Sequence, residues 1–396
     1  MNFITAVSHL ENTEQAIESL ATTIASERKL SNVICYYTQE YPPEQIHRAL
    51  SHHFPTIPFI GCSSCQGLMT EHGFHAGPVV ALMGIYDQQP CAYGNGLVEL
   101  NDNIDQKQAA YRAIQQALIQ AGRVGEIPNL ILLHATPGFE EEFIDVIDDT
   151  FGTRVPIIGG SAADNHIQGQ WSIMTQDSWT QKGIALQLFF PSMTLSAGFS
   201  AGYSPTEFEG IVTQVNGRFV KRIDGEPAAC IYKEWIGDHS GVQFENTYLF
   251  DHVTRFPLGR IAGYIKQQPY YKLSHPVRVH TDGSLELFST LREGETIYLM
   301  TGSKNQLIQR ATQVVRDANA QNYHRSSLLG AILIYCAGAM LRLGQDMSMV
   351  HQQLLQQMQG QPFICPFTFG EQGRFIGGEN GHGNLMIASV IFYESD

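Results

Sequence analysis

Apolar runs of six or seven residues, each closed by Gly, Pro or Ser, alternate with amphipathic stretches through the first half of the chain. Asn32-Val33-Ile34-Cys35-Tyr36-Tyr37 shows no polar alternation, which predicts a strand covered on both faces. A helix opened by Pro43 follows to about His53, and Pro58-Phe59-Ile60-Gly61-Cys62-Ser63 is a second strand ending in small residues. The same order then returns. Asn129-Leu130-Ile131-Leu132-Leu133-His134 is the strand, Glu140 to Thr150 the helix, and Pro156-Ile157-Ile158-Gly159-Gly160-Ser161 the second strand. The first strands lie 97 residues apart and the Pro/Gly/Ser strands 98. Amphipathic helices precede the copies at about 13–28 and 104–121, and apolar strands follow at 78–86 and 184–190. Small-residue strands at 92–96 and 195–202 are expected to close them. The pattern predicts an α/β domain over 1–205 that holds a duplicated βαβ unit, about 13–100 and 104–203, with right-handed crossovers.

From about residue 205 the pattern changes to hairpins. Ile211–Val215 and Arg218–Ile223 flank Asn216-Gly217, a strong two-residue turn signal, and another strand pair surrounds Asp282-Gly283. Helices are expected near 227–236, 303–320 and 346–359, and apolar strands at Leu328–Cys336 and Phe363–Phe369. Residues 206–396 therefore read as an α+β domain with a mixed, mainly antiparallel sheet.

Charge narrows the partners. The 38 acidic residues outnumber the 24 Lys and Arg, for a net charge of -14, and no basic run is present to neutralise phosphates. Nucleic acid and anionic membrane surfaces are thus excluded as expected partners. The longest apolar stretch, Ser327 to Leu341, is shorter than the roughly 20 residues a membrane span needs and is read as a buried strand and its turn. Met1-Asn2-Phe3-Ile4-Thr5 lacks the charged and apolar regions of a secretory signal, so a cytoplasmic location is expected. Seven scattered cysteines argue for reduced thiols and against a disulfide framework.

Candidate chemistry gathers at strand ends. The loops Gly61-Cys62-Ser63-Ser64-Cys65-Gln66-Gly67 and Gly159-Gly160-Ser161-Ala162-Ala163-Asp164-Asn165 let a ligand approach the backbone, as open α/β sheets do at the carboxyl ends of their strands, although glycine also merely permits a tight turn. Cys62 and Cys65 form a single C-x-x-C without the second pair a zinc site needs. Cys336-Ala337-Gly338 and Phe369-Gly370-Glu371 place a thiol and a carboxyl just past two further apolar strands, and Gly377 to Asn384 is read as a glycine-rich loop holding His382. The chain has no G-x-S-x-G, S-x-x-K, H-E-x-x-H or P-loop, so an enzyme would have to use Cys62 or Cys336 as its nucleophile. Fifteen histidines are many for this length, and His252, His275 and His382 sit beside apolar or aromatic neighbours; imidazole is a common axial ligand of haem iron, and without a C-x-x-C-H motif any haem b would be held non-covalently.

Taken together, Ile60-Gly61-Cys62-Ser63-Ser64, Gly159-Gly160-Ser161-Ala162-Ala163-Asp164, Asp224-Gly225-Glu226-Pro227-Ala228, Phe256-Pro257-Leu258-Gly259, Cys336-Ala337-Gly338 and Phe369-Gly370-Glu371 resemble the FIST sensory proteins, over about 25–393. Ala339 and Gly383 depart from the pattern, where an Arg and an uninterrupted His-Asn pair are often found. The resemblance implies a non-enzymatic small-ligand sensor in bacterial signal transduction, with FIST N and FIST C domains. Its ligand would be an amino acid or similar polar metabolite or, in the NosP-like group, haem sensing nitric oxide and regulating a partner histidine kinase in a two-component system. A homodimer is compatible with this reading. The ligand is expected between the two halves, near Cys62, Ser63, Ser64, Gly160, Ser161, Asp164, Cys336, Gly338 and Glu371, with His382 or His252 on any metal.

Overall fold

A computed structural model describes residues 2–25, 29–242, 254–265, 267–323, 326–375 and 378–395. Both strand runs of the duplicated pattern form as expected, and the units share one topology. In the first, the sheet order is Asn2–Ser8, Val80–Tyr86, Asn32–Thr38, Phe59–Ser64; in the second it is Ala92–Glu99, Gly183–Phe190, Leu130–Ala135, Ile157–Ser161. In each, the last two strands of that order run parallel and the other neighbours antiparallel. The strand at 92–96, expected to close the first copy, instead opens the second, paired along its length with Gly183–Phe190.

The strand at 195–202 likewise opens a third unit. Thr194–Ala201, Met386–Tyr393, Leu328–Cys336 and Phe363–Phe369's strand Phe363–Thr368 repeat the same order with the same parallel pair. Each sheet is completed by a hairpin borrowed from another unit. Gly67–Ala76 of the first unit joins the third sheet, residues 173–180 of the second join the first, and Glu371–Arg374 with Asn380–Gly383 of the third join the second. The exchange is cyclic, so the molecule has three quasi-equivalent units around a common centre. Between the third unit's first strand and its helix Lys304–Asn319 lies an inserted antiparallel sheet. It is nearly closed, because its two outer strands, Gln268–Ser274 and Pro276–Val279, are consecutive in the chain. The Asn216-Gly217 turn joins Ser204–Asn216 to Phe219–Ile223 there, with Gly217 at φ 57°.

Burial explains the uniformly apolar strands. Val33, Cys35 and Tyr37 pack under the helices Thr13–Ile24 and Pro43–His53, while Ile34 and Tyr36 point the other way into a central core. Leu130 and Leu132 of the second unit and Ile332 and Ile334 of the third enter the same central core. A buried amide network ties the first two units together: Gln187 pairs with Asn32 at 2.7 and 2.8 Å and donates to Asn95 at 2.6 Å. The stretch Ser327 to Leu341 resolves into the strand Leu328–Cys336 and the start of the short helix Ala337–Leu343. No helix among the described residues is long and apolar enough to cross a membrane.

Candidate functional site

The glycine and serine loops meet at the centre. Cys65 N–H donates to Phe367 O at 2.9 Å, Ala163 N–H to Ser63 O at 3.0 Å, and Phe369 N–H to Ser161 O at 3.0 Å. This is a closed ring of backbone hydrogen bonds, one from each unit to the next, and it explains the small residues. A Cβ on Gly159 would stand 1.9 Å from Leu133 O, and one on Gly160 2.5 Å from Thr368. Cys62, Ser63 and Ser64 are wholly buried. Ser63 Oγ accepts from Ser172 N–H at 2.9 Å, and Ser64 Oγ donates to Gly67 O and accepts from Phe367 N–H. Asp164 spends both carboxylate oxygens on the N–H groups of His166, Ile167, Gln168 and Gln170, at 2.5 to 3.1 Å. These side chains build the hub.

Cys336 and Glu371, by contrast, meet. Thr38 Oγ1 and Thr136 Oγ1 accept the N–H of Val79 and Gly183 in the first two units; in the third unit Cys336 holds the corresponding place beside the Leu385 amide. Burial raises the Cys336 thiol well above its ordinary range, and Cys62 likewise. Burial also lifts Glu371 to about 8, although it accepts from Met386 N–H and Thr368 Oγ1 at 3.0 Å each and is bonded to Cys336. Gly338, Phe369 and Asn384 help line a void of about 20 Å³ beside Cys336, room for a water but no metabolite.

Two of the other expected residues, Ser161 and His382, converge with a group the sequence did not single out. His382 lies on the strand Asn380–Gly383, not in a loop, and is wholly buried. The helix Glu140–Phe151 begins with three glutamates, favoured there by the helix dipole, and its first turn faces the inserted sheet. Arg218, at the Asn216-Gly217 turn, reaches Glu140 at 2.6 Å and Glu141 at 3.0 Å. Ser161 Oγ donates to Glu140 at 2.5 Å, and Thr290 N–H to Glu141 at 2.9 Å. Gln372 Nε2 lies 3.2 Å from Ser161 Oγ and 3.3 Å from His382 Nδ1. Burial pushes both glutamates up, but Arg218 and the His382 ring more than offset it, and Glu141 falls to about 2. Lys272 stands at the same junction, lowered to about 8 by burial and by Arg260. In a chain with only 16% charged residues, this is a concentration of fixed charge where the second unit, the third unit's hairpin and the inserted sheet meet.

Metal and haem can be tested against this geometry. Glu140, Glu141 and His382 bring three ligand atoms within 4.8 Å of one another, but Arg218 already supplies positive charge to both carboxylates. A haem needs an open slot over its axial nitrogen. His382 packs so closely against Gly370 that a Cβ there would fall 2.3 Å from its ring, and its neighbours are charged. These surroundings do not fit a haem. His252 lies outside the described residues.

Two family models match the chain in succession. Residues 31–226 match the family model described as FIST N domain, and 228–374 the one described as FIST C domain. Curated protein sequences give no match. Among solved structures, a cyanuric acid hydrolase from A. caulinodans is similar at 7% identity and a TM-score of 0.41, over 99% of both chains. PurLQS from Thermotoga maritima is similar at 7% identity and a TM-score of 0.22, over 100% of this chain and 73% of that one. Neither likeness bears on what this chain does.

Proposed function

Because this chain belongs to the FIST family, whose domains are small-ligand sensors in signalling, we propose that it senses a small zwitterionic metabolite, amino-acid-like, at the Arg218 junction. The observation that carries this reading is that Arg218, on the inserted sheet, holds two carboxylates of the second unit. A ligand ammonium would take the place of the guanidinium against Glu140 and Glu141, and the freed Arg218, with Lys272 beside it, would receive the ligand carboxylate. The inserted sheet would then lose its Arg218 tie to the second unit and keep the Thr290 N–H bond to Glu141. Binding and a change in the position of that sheet are thereby linked through one side chain, which supplies the differential contact a two-state sensor requires.

A thermal-shift screen with amino acids tests the proposal, since a ligand at 100 times its Kd adds about 2.7 kcal/mol of stability. A panel in which no amino acid raises the melting temperature would sink it. The haem form of the sensor, with nitric oxide as signal and a histidine kinase as partner, draws support from the family resemblance alone. A stoichiometric hemin titration that leaves the Soret band unshifted removes that form.

A further inference from the structure

We propose that a cleft between the helix Lys304–Asn319 and the hairpin strand Gln268–Ser274, apart from the Arg218 junction, is a second ligand site, for a small carboxylate with a flat apolar body. The cleft has a volume of about 360 Å³, within the range of small-molecule pockets. One wall is a row of rings: Phe199 and Phe375 have centroids 4.9 Å apart, and Phe375 and Tyr270 4.8 Å. Such a row offers a flat apolar group stacking and burial.

The opposite side is polar and unsatisfied. Arg310 Nε and Ser200 Oγ are both buried, both belong to residues lining the cleft, and neither has a hydrogen-bond partner. Buried polar groups are ordinarily paired, and two unpaired donors on residues that line one cleft ask for an acceptor. No ion pair forms with Arg310 among the described residues. Asp317, the acid that acts on it, has Oδ1 taken by Gln313 Nε2 at 2.5 Å. A carboxylate would accept from both donors while its apolar body lies on the rings.

Calorimetric titration of the full chain with benzoate, and with benzamide as its neutral isostere, tests the site. Benzoate should bind, with benzamide at least about tenfold weaker; Arg310→Met should weaken benzoate about ten- to a hundredfold, and Arg310→Lys less. Arg218→Met should leave benzoate binding unchanged, which separates this site from the junction. Absence of benzoate binding at millimolar concentration, equal binding of benzamide, or full binding by folded Arg310→Met would each overturn the proposal.

Discussion

The hub of strand ends and the charged junction beside it are built from neighbouring residues and do opposite work. Ser161 belongs to both: its backbone oxygen closes the hub ring by accepting Phe369 N–H, while its hydroxyl points to Glu140. In the hub, small residues let three units approach until backbone bonds backbone, and nothing is left over for a ligand. At the junction, long charged side chains from separate parts of the chain hold one another across an interface, an arrangement that a competing ion can exchange. Gly/Ser loops after parallel strands therefore serve packing here, and the replaceable charges mark the proposed site.

Four changes break or sharpen that contrast. The largest effect is expected at the hub. Gly159→Ala puts a methyl 1.9 Å from the Leu133 carbonyl and should cost about 3 kcal/mol or more in denaturant unfolding, or prevent folding, because backbone and not a side-chain tip must yield. Next is Arg218→Met, which leaves Glu140 buried without its cation and should cost about 3 kcal/mol. Adding Glu140→Gln should recover part of that loss without restoring ligand response, as expected of a group that binds as well as braces.

Glu371 should show itself in the pH profile. Its folded-state value of about 8 lies above the unfolded value near 4.5, so between these limits the folded chain holds a proton that the unfolded chain has released. Its contribution to stability is thus complete below pH 4.5 and is lost as pH rises through 8. Glu371→Gln should flatten the fall in melting temperature between pH 5 and 8 relative to wild type. The smallest effect is expected for Cys336→Thr. Since Thr38 and Thr136 hold the matching place in the other units, this change should alter stability by less than about 1 kcal/mol. A large loss would mean that the thiol does something its two counterparts do not.

Much of the fold could be read from the chain because its signals are local. The apolar strands, the 97- and 98-residue offsets and the Asn216-Gly217 hairpin each occupy a few consecutive residues. The third unit escaped for two physical reasons. An entire sheet is inserted between its first strand, Thr194–Ala201, and its helix, and its strand end is Phe367-Thr368-Phe369, without the Gly-Ser signature of Gly61 to Ser63 or Gly159 to Ser161. Thr368 can stand there because Gly160 of the second unit has no side chain to meet it. Of the site, Ser161 and His382 were legible and Glu140, Glu141 and Arg218 were not. Three glutamates opening a helix look like ordinary dipole compensation, and an Arg at a hairpin turn looks solvated. The usable signal was Glu140 and Glu141 within a run of three glutamates, in a chain poor in charge, shortly after a buried strand that ends at Ala135.

The most direct test of the account is a thermal-shift titration of the wild-type chain and the Arg218→Met/Glu140→Gln pair with the same amino-acid panel. The account predicts a shift on the order of a few degrees for at least one amino acid with the wild type and none with the pair. An equal shift in both proteins would contradict it and place the ligand away from the junction.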